Sequence, residues 1–288
     1  MPRSGRIGPL PLNGGRSALG LGIAGWTVVV ELPEAGPRES LRRAFSSFVL
    51  PDVPEGPRVP RVRLAAPGVA RPAPAVRQMP QVHREADGAL GLEGEDYSAR
   101  LSPDGLSATV TGEGRFPVET VLKVMLAAEL ARRGGLLVHG VALAHEGRAA
   151  LFTGHSGAGK STLGALWTEA GGTLLSDELV AVWPGPGGGW RAAGTPWNVG
   201  LPREAALAAV GTLAWDAGSR WETQAAGDVG RLLLLNALLP EASAAGRGGL
   251  LMAAGRLLSR VVPVRLVFAR DASAARVVRA ALEARGHG

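Results

Sequence analysis

The sequence predicts an α/β protein: an α/β domain built around a glycine-rich loop, preceded by a smaller β-rich region. Three observations carry this expectation. Near residue 115 the chain changes character, from short apolar runs broken by proline and glycine to the order strand, strand, glycine loop, helix, strand, strand. Residues 154–161, GHSGAGKS, satisfy the pattern GxxxxGK[ST] between an apolar run and an amphipathic stretch. The length of 288 residues, at about 150 per domain, holds one large domain or two modest ones. The expected division is a flexible arm over residues 1–20, a β-rich accessory or recognition region over 21–114, and the α/β domain over 115–288.

The arm is assigned on its glycine, proline and arginine content. Residues 26–31 (WTVVVE), 45–50 (FSSFVL) and 59–64 (VPRVRL) read as strands, with PEAGP, PDVPEGP and AAPG as the breaks around them. Residues 97–101 and 108–111 alternate around the turn Ser102-Pro103-Asp104-Gly105 and complete the β-rich region. Residues 67–80 are too broken by proline to give a path. Residues 118–132 then place Val121, Leu122, Val124, Met125, Leu126 and Leu130 at helical spacing, and Arg132-Arg133-Gly134-Gly135 supplies a basic last turn and a stop. LLVHGVALA and AALFTG follow as strands, KSTLGALWTEA as a helix, and TLLSD and ELVAVW as strands. Further on, residues 232–239 read as the stripe of a core helix, 261–268 (VVPVRLVF) as a late strand and 273–285 as a final helix.

Composition narrows the function. With no cysteine, the chain has no disulfide framework, thiol nucleophile, cysteine-ligated zinc or iron–sulfur site. Positive charge exceeds negative by 6, and Lys123 and Lys160 are the only lysines, so the basic total is almost all arginine. No stretch gathers that charge into the basic, aromatic-interleaved surface of a nucleic-acid binder, so nucleic acid is not an expected partner. Residues 17–30, SALGLGIAGWTVVV, fall short of the roughly twenty residues a bilayer span needs. Their β-branched end runs into a charge and a proline, as a buried strand would. The expectation is a cytoplasmic protein with no transmembrane segment.

The chemistry lies in the loop. Its glycines let successive backbone N–H groups converge on a phosphate, and the helix start adds unpaired donors and a positive dipole end. Lys160 can reach the β- and γ-phosphates of ATP, and the Ser161 hydroxyl can ligate Mg²⁺. Gly154, Ser156, Gly157, Ala158, Gly159, Lys160, Ser161 and Thr162 form the candidate nucleotide-contacting set. Arginine would present a broad planar fork where the loop needs a compact ammonium, so a lysine here is not an interchangeable charge. Asp177 and Glu178 follow a strand-like run one helix and one turn after Lys160. Such a carboxylate can hold magnesium or take the proton of an attacking hydroxyl; its bland alternative is a loop-surface acid or helix cap. The short interval, with no LSGGQ-like segment and no NKxD motif, separates the chain from transport ATPases and small GTPases.

Residues 136–182, LLVHGVALAHEGRAALFTGHSGAGKSTLGALWTEAGGTLLSDELVAV, resemble the carboxy-terminal catalytic domain of HPr serine kinase/phosphorylase and, more distantly, the ATP-dependent phosphoenolpyruvate carboxykinases. The resemblance implies a P-loop, carboxykinase-like kinase domain over 115–288. His139 matches the family histidine near the transferred phosphoryl group, Lys160 and Ser161 match the nucleotide and magnesium residues, Asp177 matches the family acid proposed as general base, and Glu178 stands in the place of its acidic neighbour. Residues 194–198, GTPWN, look like the next active-site loop, with Thr195 and Asn198 either contacting nucleotide or acceptor or serving the turn. A homo-oligomer would follow family precedent. Two departures stand out: Thr162 replaces the glutamate of the family's protein kinases, and Ser176-Asp177-Glu178 replaces their Ala-Asp-Asp. Phosphorylation of the carbohydrate-transport phosphocarrier does not transfer on this pattern.

Weighed on its own, His139 is either a phosphate contact, neutral or charged, or a histidine satisfying a strand end. His145 and His155 lack ligand spacing, and Arg191, Arg203, Arg231, Arg256, Arg260 and Arg265 are indistinguishable as phosphate clamps. The expected activity is transfer of the ATP γ-phosphoryl group to a hydroxyl of a protein serine or small metabolite. The rivals are an ATP-binding regulatory module with little turnover and a decarboxylating carboxykinase.

Overall fold

A computed structural model describes residues 17–32, 35–65 and 80–285, which form a mixed α/β structure with two sheets and six α-helices. The N-terminal part of the expected arm and most of the proline-broken stretch, residues 1–16 and 66–79, lie outside the described residues. The arm itself ends earlier than expected: Ser17 already opens strand β1 (Ser17–Ile23), which pairs antiparallel with β2 (Trp26–Leu32) in a register that sets Ser17 opposite Leu32. Ala24 and Gly25 turn the hairpin at φ +52° and +70°, the hand that matches strand twist. Alternating Leu19, Leu21 and Ile23 are buried, which is what draws the segment out of solvent.

Helix α1 (Ala35–Ala44) stands where a proline-containing turn was expected; proline within a first helical turn removes no bond the helix needs, and Leu41 buries its inner face. Residues 45–50 are not a strand. Ser46–Phe48 is a single 3₁₀ turn that drops Phe45 and Phe48 into the core, and Val49 makes one isolated bridge to Leu21. Strands β3 (Arg61–Ala65), β4 (Gln81–Arg84), β5 (Leu90–Glu93), β6 (Ser98–Leu101) and β7 (Ser107–Thr111) complete a seven-stranded sheet in the order β1-β2-β3-β7-β6-β5-β4.

Helix α2 (Phe116–Arg132) is apolar on most of its circumference, because it packs between that sheet and the next. Leu122, Leu126 and Leu130 share one core with Val28, Val30 and Val62 on one side and Leu137, Ala181 and Trp197 on the other. Gly134, at φ +72°, ends it as expected: Gly134 N donates to Ala131 O and Gly135 N to Leu130 O.

The second sheet holds β8 (Leu136–His145), β9 (Arg148–Thr153), β10 (Thr173–Ser176), β11 (Leu179–Pro184), β12 (Trp190–Ala193), β13 (Glu204–Trp215), β14 (Arg220–Thr223) and β15 (Val262–Phe268). Its pairings close a ring, β8 to β11 to β12 to β13 to β9 and back to β8. Helix α3 (Lys160–Glu169) and α6 (Ser273–Ala284) pack Leu163, Trp167, Val278 and Leu282 into one core, while α4 (Ala226–Asn236) and α5 (Ala244–Leu258) pack Val229, Leu233 and Leu257 into another. The expected core stripe over 232–239 is therefore partial, since α4 stops at Asn236 and Leu235 is 70% exposed. No helix among the described residues is long and apolar enough to cross a membrane.

Candidate functional site

Strand β13 runs parallel to both β9 and β15, so the carboxyl ends of three strands, at Thr153, Trp215 and Phe268, open in one direction. The crevice beyond the carboxyl ends of parallel strands is where such sheets characteristically bind ligands. Residues 154–159 leave β9 there as a loop and enter α3 at Lys160. Gly157 and Gly159 hold φ of +83° and +98°. A Cβ on Gly159 would lie 2.5 Å from the Trp215 ring and 2.8 Å from the Phe268 ring, so glycine is required by space as well as by φ.

Lys160 is buried, and its Nζ donates to Gly154 O at 2.9 Å and His155 O at 3.1 Å, drawing the ammonium across the mouth of the loop. Desolvation holds its pKa below the ordinary lysine value. Lys160, Ser161 and Thr162 line a cavity of about 390 Å³, with Ser156, Gly157 and Gly159 on the loop side and His139 and Asp177 across from them. Gly154 and Ala158 shape the loop from within, Ala158 being buried and its N–H donating to His155 O.

His139 reaches the cavity from β8, with its own carbonyl accepting from Thr153 Oγ1 at 2.9 Å. Burial lowers its pKa, Lys160 and Lys123 lower it further, and Glu178 opposes them. The imidazole is therefore neutral at pH 7, a donor or acceptor rather than a cation.

Asp177 sits in the turn from β10 to β11. Asn198 Nδ2 donates to both of its oxygens, at 3.0 and 3.1 Å, and the Val199 N–H donates to Oδ1 at 3.1 Å. Asn198 itself is at φ +58°, a conformation asparagine tolerates better than most residues, and the Ser176 to Gly200 bridge ties its loop to β10. Thr195 has a different place: it is fully buried and donates to Leu179 O at 2.6 Å, so it secures the loop rather than facing the cavity. Glu178 turns away from Asp177 toward α2, where Lys123 Nζ lies 3.7 Å from its carboxylate and 5.6 Å from the centre of the Trp197 ring.

Of the two lysines of the chain, Lys160 lines the cavity, while Lys123, on the helix between the sheets, pairs with Glu178 next to Asp177. Lys123 was identifiable by its rarity alone. Trp215 and Arg270, which complete the cavity, were missed. Trp215 ends a strand whose alanine content hid it, whereas Arg270 lies two residues beyond a strand that was expected, so its place was open to reading.

A larger cavity of about 820 Å³ opens between α4 and α5, but its walls are apolar apart from Arg231 and Ser259 and hold no acid or base. No protein-family model matches the chain, and a search of curated proteins gives no match.

Proposed function

We propose that this protein transfers the γ-phosphoryl group of ATP to a hydroxyl of a protein serine or a small metabolite. The observation that carries the reading is the meeting of Lys160, Ser161, His139 and Asp177 on one cavity, beside a helix N-terminus and beyond the ends of three parallel strands. On this reading the loop N–H groups and Lys160 hold the phosphates. The acceptor oxygen attacks the γ-phosphorus, the bond to the β,γ-bridging oxygen breaks, ADP leaves with that electron pair, and the acceptor proton passes to the Asp177 carboxylate. Asn198 and the Val199 N–H fix the orientation of that carboxylate. Neutral His139 donates a hydrogen bond to the phosphate.

Among the described residues no group of three or more His, Asp or Glu could hold a metal unaided. The hydroxyl of Ser161 and the carboxylate of Asp177 are hard oxygen donors on the same cavity, which fits magnesium arriving with the nucleotide and taking its other ligands from phosphate and water. When bound, magnesium offsets charge on the β- and γ-phosphates. On this reading the protein would work in the cytoplasm, where MgATP is supplied. Titration calorimetry tests the binding half directly: MgATP binds wild type and loses at least about tenfold in affinity with Lys160→Met, and equal binding by the two proteins would refute it.

A second reading, an ATP-binding regulatory module, is favoured by one observation. Asp177 already accepts three hydrogen bonds, which occupy lone pairs that an acceptor proton would need. The two readings part on whether Asp177-dependent transfer occurs.

A further inference from the structure

We propose that Arg270, lying on the face of Trp215, is the arginine that grips the nucleotide phosphates as a two-pronged clamp. The inference rests on the nucleotide reading above and adds to it a ligand-binding residue outside the glycine loop.

Arg270 follows β15 and lines the same cavity as Lys160 and Ser161. Its guanidinium carbon stands 4.4 Å from the centre of the Trp215 ring. Stacking of this kind uses the flat face of the guanidinium and leaves the N–H donors at its edge for a planar pair of acceptor oxygens. Among the described residues no carboxylate lies within ion-pair distance of Arg270, whereas Arg100, Arg133, Arg191 and Arg220 are all paired. The adjacent Asp271 is engaged elsewhere, accepting from the Ser273 N–H at 2.7 Å.

The platform is fixed to the loop. Trp215 has the Phe268 ring 4.3 Å from its own, its indole N–H donates to Gly157 O at 3.5 Å, and its edge fills the space a side chain at Gly159 would need. Arg270 is therefore held at a set distance from the phosphate-binding N–H groups. Lys160, the other cation lining the cavity, already shares its Nζ with two loop carbonyls and offers the phosphates a point charge rather than a planar fork. Among the described residues no side-chain hydrogen bond or ion pair engages the Arg270 guanidinium, which leaves its donors for a bidentate phosphate contact.

Calorimetric titration with MgATP and, separately, with magnesium tripolyphosphate tests this, using wild type, Arg270→Ala, Arg270→Lys and Trp215→Phe. The clamp predicts that Arg270→Ala weakens both ligands by the same factor, about 10- to 100-fold, the span of a charge-assisted hydrogen bond. Arg270→Lys restores only part of it, because a point charge cannot bind two oxygens in one plane. Trp215→Phe, which keeps an aromatic platform, costs less than Arg270→Ala. Weakening of MgATP with no change for tripolyphosphate would overturn the clamp by making Arg270 a base or ribose contact. Unchanged affinity for both would overturn it while leaving the nucleotide reading in place. Absence of binding by wild type to either ligand would overturn both together. Arg270 is exposed, so thermal melts of its variants should match wild type, and binding losses can be read without a folding correction.

Discussion

Asn198 is the residue on which the proposed chemistry leans most lightly and most testably. Its amide holds both Asp177 oxygens from a left-handed backbone position. Alanine there would add backbone strain of roughly 1–2 kcal/mol to the loss of the amide, whereas glycine removes the amide alone. Asn198→Gly is therefore expected to lower kcat by roughly 10- to 100-fold with little change in KM for ATP, the mark of a misplaced base rather than a lost ligand. Steady-state kinetics at saturating acceptor decides it. His139 offers a pH test. Its folded-state pKa lies below the unfolded value of 6.5, chiefly through burial, so as pH falls below that value the unfolded chain takes up a proton before the native one does. Stability is thus unaffected by His139 above that range and declines below it. Urea midpoints for wild type should fall relative to His139→Gln between pH 6.5 and 5, and parallel profiles would contradict the neutral, desolvated imidazole.

At the scale of elements, the site depends on close packing between the loop at 194–200 and strand β10. A Cβ on Gly200 would lie 1.9 Å from Thr195 O, and one on Gly194 would lie 2.2 Å from Leu175 O. Gly200→Ala should cost about 1–3 kcal/mol in denaturant unfolding and release Asp177 from its partners, while Gly189→Ala, whose Cβ meets open space at ordinary φ, should leave stability and activity alone. The same elements explain what could be read from sequence. Helices α2 and α6, strands β8 to β11 and the glycine loop were legible because apolar spacing, glycine stops and the loop pattern agreed with one another. Strand β13 was not, because EAALAAVGTLAW is rich in the best helix former and becomes a strand through pairing with β9, β12 and β15. Helix α5 was hidden by its glycines at 246, 248, 249 and 255, and Ser243, whose Oγ accepts from the Gly246 N–H, starts it. Trp215 was missed with that strand, since it closes a segment whose alanines concealed it.

Across the whole molecule, α2 packs against both sheets and joins them through one hydrophobic core. Its leucines contact both, and Lys123 on the same helix reaches Glu178 beside the cavity, so packing and site share an element. Calorimetry should accordingly show a single unfolding transition for the protein, and Leu126→Ala, at a fully buried position, should move that transition as a unit while costing about 2–5 kcal/mol. Two separable transitions, only one of them shifted by Leu126→Ala, would contradict a core shared between the sheets.

Whether Asp177 performs the proposed transfer chemistry on a nucleotide held by the loop is decided most directly by one measurement. Labelled MgATP is incubated with wild type and with Asp177→Asn, each with a concentrated extract of the source cells, and the label is followed from the γ-phosphate into extract components. A labelled component is expected with wild type, and a loss of at least about 100-fold with Asp177→Asn under MgATP concentrations that saturate both proteins. Tight MgATP binding by both proteins with no Asp177-dependent label would contradict it and leave a nucleotide-binding regulator in its place.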